Sequence, residues 1–144
     1  MKMLTVEHDK RGIARVILAR TARLNAFDEA MIAELTETFR SLSASAKVRC
    51  VVLAAEGRCF CAGADIHWMR RQSDNTFERN LADSRAFAEM LRLIAECEKP
   101  TIAAVNGDAY GGGVGLIAAA DIAISVASAQ FAIREARFER ANRR

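Results

Sequence analysis

An α/β fold is the class this sequence predicts, and three observations predict it. Apolar runs of strand length alternate with helical patterns along the chain. Two of those runs, 48–54 and 102–105, contain the unbroken apolar pieces Val51-Val-Leu53 and Ile102-Ala-Ala-Val105 expected of buried strands. The segments that leave these two strands both lose their large side chains and then enter helices: Cys61-Ala-Gly-Ala-Asp65 and Asp108-Ala-Tyr-Gly-Gly-Gly113. In an α/β sheet such segments lie at the carboxyl ends of strands, where ligands bind.

Taken in order, residues 3–7 form the first strand, with Leu4 and Val6 on one face and Thr5 and Glu7 on the other. Asp9-Lys-Arg-Gly12 is a hairpin turn, and residues 13–19, rich in branched side chains, are the partner strand. Residues 20–27 are a loop. Asp28 caps a helix, Glu29 favours its dipole, and Ile32, Leu35, Phe39 and Leu42 recur at helical spacing. The pattern fades through 43–47 into the strand at 48–54. Residues 55–65 are read as a loop, and a short helix begins near Asp65. A long amphipathic helix spans 76–98, with Phe77, Leu81, Ala88, Leu91 and Ala95 on its inner face and Lys99-Pro100 at its end. The strand 102–105 breaks at Asn106-Gly107. After Gly111-Gly-Gly113 come only small or aliphatic residues through Ala120, so this helix is expected to be buried all round. A strand at 121–127 and a short apolar piece at 131–133 follow.

Composition narrows the function. At 144 residues, 51% hydrophobic and 27% charged, the chain fits one globular domain. Its net charge of +3 is local: Arg134, Arg137, Arg140, Arg143 and Arg144 stand against Glu135 and Glu139, and the remainder is neutral. No basic stripe interleaves with aromatics, which argues against nucleic acid as a partner. Cys59 and Cys61 form a C-x-C with no second pair at zinc spacing, and His8 and His67 stand alone, so no metal is expected and the thiols read as reduced. Residues 1–10 carry no signal-peptide core and no apolar run reaches membrane-spanning length. The expectation is a cytoplasmic protein without a membrane partner.

Three consecutive glycines opening a helix invite a phosphate reading, which fails on detail. A P-loop needs Lys and then Ser or Thr after its last glycine, and Val114 follows Gly113. The dinucleotide fingerprint begun at Gly111 and Gly113 would end on Leu116. Two readings remain: a glycine-rich helix contact, or bare backbone N–H groups facing an oxyanion. One N–H from each of the two small-residue segments, converging on one carbonyl oxygen, would stabilise an enolate.

The motifs Cys61-Ala-Gly-Ala-Asp-Ile66, Lys99-Pro-Thr-Ile-Ala-Ala-Val-Asn-Gly-Asp-Ala-Tyr-Gly-Gly-Gly113 and Ala120-Asp-Ile-Ala-Ile124 resemble the enoyl-CoA hydratase/isomerase (crotonase) family. The resemblance covers residues 1–138, read as an N-terminal core, and leaves 139–144 as a divergent basic tail. It implies a spiral of ββα units, truncated before the C-terminal helices that close the coenzyme A site, and trimers or hexamers when complete. It also implies an acyl-CoA substrate, whose coenzyme A is the only cofactor moiety, with the thioester oxygen held by the Ala64 and Gly112 amides. Around them the implied substrate contacts are Arg23, Asn25 and Ala26 in one loop, Ala62, Gly63, Asp65 and Ile66 in the next, and Gly111 and Gly115. Trp68 and Met69 line the acyl pocket or simply pack. Of the two carboxylates that add water in this family, one position is Gly115 here and the other is Glu135, which is either the acid/base or a solvated charge between Arg134 and Arg137. Asp65 reads as a helix cap. Gly-Gly-Gly-Val-Gly-Leu116 resembles the bacterial members acting on methylglutaconyl-type esters. Hydration of an α,β-unsaturated acyl-CoA is the leading reading; isomerisation, or acyl-CoA binding without turnover, are the alternatives.

Overall fold

The computed structural model describes residues 3–133. Strand β1 (Leu4–His8) and β2 (Ile13–Leu18) form an antiparallel hairpin. It closes on the Asp9–Gly12 turn, where the Asp9 carboxylate accepts from the Arg11 and Ile13 N–H groups. Helix α1 (Glu29–Ala44) starts as the sequence predicts: Asp28 accepts from the Met31 N–H, and Ile32, Leu35, Phe39 and Leu42 are all buried. Strand β3 (Cys50–Ala55) then pairs in parallel with β2, β5 (Thr101–Val105) with β3, and β7 (Ile122–Ser125) with β5. The resulting five-stranded sheet has the order β1-β2-β3-β5-β7.

Three further strands lie in segments that the sequence reads as loops or short apolar pieces. Strands β4 (Cys59–Cys61), β6 (Asp108–Tyr110) and β8 (Phe131–Ala132) form a second, parallel sheet. The correction has a simple cause: two or three residues are too few to show alternation, and Cys59, Phe60 and Cys61 are buried on both faces. With β4 and β6 in place the repeat is clear. Each unit is one strand of the large sheet, one of the small sheet, and then helix: β3-β4 followed by α2 (Ile66–Ser73) and α3 (Phe77–Ala95), then β5-β6 followed by α4 (Gly112–Ala119).

Two helix faces differ from expectation. On α3 the buried residues are Met90 and Ile94, with Phe87 and Leu91 packed against the core. Of the expected inner face only Leu91 packs there: Phe77 is 76% exposed, and Leu81, Ala88 and Ala95 lie at the surface. The first turn of α3 overhangs the core, and a stripe extrapolated from Phe77 inherits that error. Helix α4 is not buried all round either: Gly113 and Leu116 are buried, the others are half-buried, and Ala118 is exposed. It packs against α3 and the small sheet, and Ala118 faces out. Beyond it, β7 forms an edge of the large sheet with all four residues exposed, Ile124 at 63%. Among the described residues no helix is long and apolar enough to cross a membrane.

Candidate active site

Three segments meet at one end of the sheets. The first is the loop after β2. Leu24 and Asn25 both adopt left-handed backbone, at φ 51° and 55°, a region that Asn tolerates and Leu does not favour. The loop is held there by Asn25, which is fully buried: its Oδ1 accepts from the Arg20 N–H at 2.9 Å, and its Nδ2 donates to the Glu56 and Cys59 carbonyls at 2.8 and 2.9 Å. The second segment, 61–65, runs alongside the first. Ala62 N–H donates to Leu24 O, Phe27 N–H to Gly63 O, and Asp65 N–H to Phe27 O.

The third segment is the glycine triplet. A Cβ on Gly63 would lie 2.7 Å from the Tyr110 carbonyl oxygen, and one on Gly113 would lie 2.5 Å from that of Cys61. Both contacts are with backbone, which cannot swing aside, so the glycines let the two strand exits touch. Gly112 faces rings instead: its Cβ would stand 2.4 Å from Phe27 Cζ and 2.9 Å from Phe87 Cζ. Those two rings are stacked with centroids 5.1 Å apart, and Trp68 meets Phe27 edge-on at 6.2 Å. The glycine-contact and bare-backbone readings are therefore compatible, since Gly113 serves close packing while Gly112 opens on a cleft.

That cleft, of about 220 Å³, is lined by the aromatic residues Phe27, Trp68 and Phe87, the small residues Ala64 and Gly112, and the polar residues Gln72, Asp83 and Ser84. Among the described residues neither the Ala64 nor the Gly112 N–H has a hydrogen-bond acceptor. In a folded protein such donors are usually satisfied, so two at one cleft suit an incoming oxygen. A larger groove of about 360 Å³ between α1 and α3 shares Trp68 and Asp83 but contains neither amide.

Behind the amides lies a buried charge cluster. The Arg20 guanidinium contacts Asp28 at 2.9 Å and Asp65 at 3.2 Å, and donates to the Ala26 carbonyl at 2.7 Å. Asp65 caps α2, accepting from the His67 and Trp68 N–H groups at 2.8 and 3.3 Å, as the sequence predicts. Burial opposes its charge, but those two donors, with Arg20 and Arg23, outweigh it and hold the carboxyl below its ordinary range.

The structure places the remaining sequence-derived candidates as follows. Trp68 lines the cleft; Arg23 is exposed, Ala26 is buried, and Ile66 is 61% exposed. Gly111 N–H bonds to the Ala132 carbonyl. Gly115 points toward Leu91 of α3 rather than into the cleft, and its Cβ would have ordinary clearance. Glu135 lies outside the described residues, as does the 139–144 tail. Sequence reasoning overlooked Gln72, Asp83, Ser84 and Phe87. Asp83 and Phe87, four apart on α3, were discernible only once the helix face was correctly placed.

The cysteines play no part in the cleft. Cys61 Sγ donates to the Asn25 carbonyl, and burial pushes its thiol up to about 12. Cys59 is raised too, by burial and then by Asp108. Because the thiolate is the reactive form, iodoacetamide at about pH 8, near the ordinary thiol pKa, should label half-buried Cys50 and Cys97 first. Peptide mass mapping should find Cys59 and Cys61 unmodified until the chain is unfolded; equal labelling of Cys61 in the native protein would contradict its placement.

Comparison with known proteins gives a consistent result. The family model described as enoyl-CoA hydratase/isomerase matches residues 8–139. A 1,2-epoxyphenylacetyl-CoA isomerase of Escherichia coli K12 is 34% identical over 134 residues, covering 91% of this chain and 50% of that one. Enoyl-CoA hydratase AKT6-1 of Alternaria alternata is 33% identical over 124 residues, 86% of this chain and 40% of its own. Among solved structures, an enoyl-CoA hydratase from Shewanella pealeana superposes with a TM-score of 0.92 at 37% identity, covering 96% of this chain and 52% of that one. The chain thus spans about half the length of the relatives it matches.

Proposed function

Because the chain belongs to the enoyl-CoA hydratase/isomerase family, we propose that its cleft binds an acyl-CoA thioester and polarises the carbonyl with the Ala64 and Gly112 N–H groups. One observation carries this reading: Ala64 and Gly112 line the same cleft, and the N–H of each is unpaired among the described residues. Two fixed donors onto an oxygen that gains charge stabilise the enolate more than the ground state, which is what lowers a barrier. Hydration then needs water at the β-carbon and a proton at the α-carbon. Glu135, by its position in the family motif, is the group proposed to supply that proton. Coenzyme A enters as part of the substrate, and no separate cofactor or metal is required. Assembly into trimers or trimer pairs, and a cytoplasmic location, belong to the same proposal.

A second reading is double-bond isomerisation. Position 115 carries no carboxylate, one carboxylate suffices to move a proton between carbons, and one of the relatives quoted above is named as an isomerase. Incubation with crotonyl-CoA, followed by enoyl absorbance and product mass, separates the cases. Loss of absorbance with gain of one water is the expected result. With a β,γ-unsaturated acyl-CoA, conversion at unchanged mass would favour the isomerase. Saturable binding with neither change would leave a coenzyme A-binding chain without turnover.

A further inference from the structure

We infer that Asp83 is the carboxylate that activates water in this cleft, taking the part for which position 115 has no side chain. The inference rests on the acyl-CoA reading above and adds a residue to it. Asp83 is the one ionisable group among the described residues that line the cleft with Ala64 and Gly112. It lies one helical turn before Phe87, whose ring stands against Gly112, so the helix that packs on Gly112 also brings this carboxylate to the cleft. Its side chain is only 11% exposed, and each carboxylate oxygen has one partner: Gln72 Nε2 donates to Oδ2 at 3.3 Å and Arg79 Nε pairs with Oδ1 at 3.5 Å. A carboxylate accepts about four hydrogen bonds, so acceptor capacity remains for a water molecule. Gly115 meanwhile points its Cα toward Leu91 on the same helix, so α3 rather than α4 delivers the charged group.

The chemistry balances with two carboxyl groups. Asp83 takes a proton from water while the water oxygen bonds to the β-carbon. The Cα=Cβ electron pair moves onto the thioester, and the oxygen that gains charge is held by the two amides. Protonated Glu135 then gives its proton to the α-carbon as the electron pair returns. Transfer of the Asp83 proton to Glu135 through solvent resets the site.

The two carboxylates should be separable. With crotonyl-CoA as substrate, Asp83→Asn should lower the hydration rate about 100-fold or more, the usual worth of a general base, while affinity changes little. Exchange of the α-protons of butyryl-CoA with deuterium oxide should persist in Asp83→Asn and vanish in Glu135→Gln. Formate should restore part of the rate in Asp83→Ala, which a purely structural carboxylate would not permit. Near-native hydration by Asp83→Asn, absence of formate rescue, or a wild-type chain that binds crotonyl-CoA without ever hydrating it would overturn the role of Asp83. Failure of the wild-type chain to bind crotonyl-CoA at all would instead remove the acyl-CoA reading itself, and this inference with it.

Discussion

Replacing Gly112 by proline should abolish nearly all turnover of an enoyl-CoA, by about 100- to 1,000-fold for the lost donor alone. Proline removes the N–H that is proposed to hold the substrate oxygen. The site is a fair one for this substitution, because Gly112 is the first residue of α4 and proline is well tolerated at the first helical position. The helix should therefore survive. The difficulty is steric, since any Cβ here meets the Phe27 and Phe87 rings, and Phe27 is only 3% exposed. Gly112→Ala supplies the control: it brings the same clash but keeps the donor. The rate ratio between the two variants, measured with crotonyl-CoA at matched folded fraction, isolates the hydrogen bond. Equal rates for alanine and proline would mean that Gly112 N–H carries no oxyanion and that the glycine is there only for room.

That pair of variants also shows where sequence reading stops. Glycines at 63, 111, 112 and 113 are visible in the sequence, but not what each one faces. Gly63 and Gly113 answer to carbonyl oxygens of each other's segments, while Gly112 answers to two rings from distant elements. Such pairings are tertiary, and no local period encodes them. The helix starts were legible for the opposite reason. Asp28, Asp65 and Thr76 each accept from N–H groups two or three residues ahead, so the whole device lies within one turn of chain.

The small sheet escaped because its strands are too short to declare a period. Asp83 escaped because a carboxylate on an inner face breaks the apolar stripe by which inner faces are found. In the other direction, family resemblance carried Asn25 into the list of substrate contacts. Its side chain is wholly occupied in tying the 20–27 loop to the chain after β3.

Arg20→Met should be the most destabilising change at this end of the molecule. Arg20 joins the caps of two helices: Asp28 serves α1 and Asp65 serves α2, and the three side chains are between 5% and 14% exposed. Removing the cation leaves two carboxylates facing each other in a poorly solvated site, and stranding buried charge typically costs about 3–5 kcal/mol. Urea denaturation at neutral pH should register a loss of that order with little change in slope. The pH dependence follows from the direction of the Asp65 shift. Its folded value lies below the ordinary aspartate value, so its contribution is full above the unfolded value and fades as pH falls through the folded one. Arg20 is one source of that depression. The stability gap between wild type and Arg20→Met should therefore be widest near neutrality and narrow as the pH drops below about 4. A gap under about 1 kcal/mol, the range of surface pairs, or one that stays constant with pH, would show the cluster to be solvated rather than buried. The same variant bears on function. Asp65 follows Ala64 directly, and its N–H is bonded to the Phe27 carbonyl. Loosening Asp65 therefore frees the Ala64 amide to turn, and acyl-CoA affinity should weaken in step with the stability loss, although Arg20 does not line the cleft.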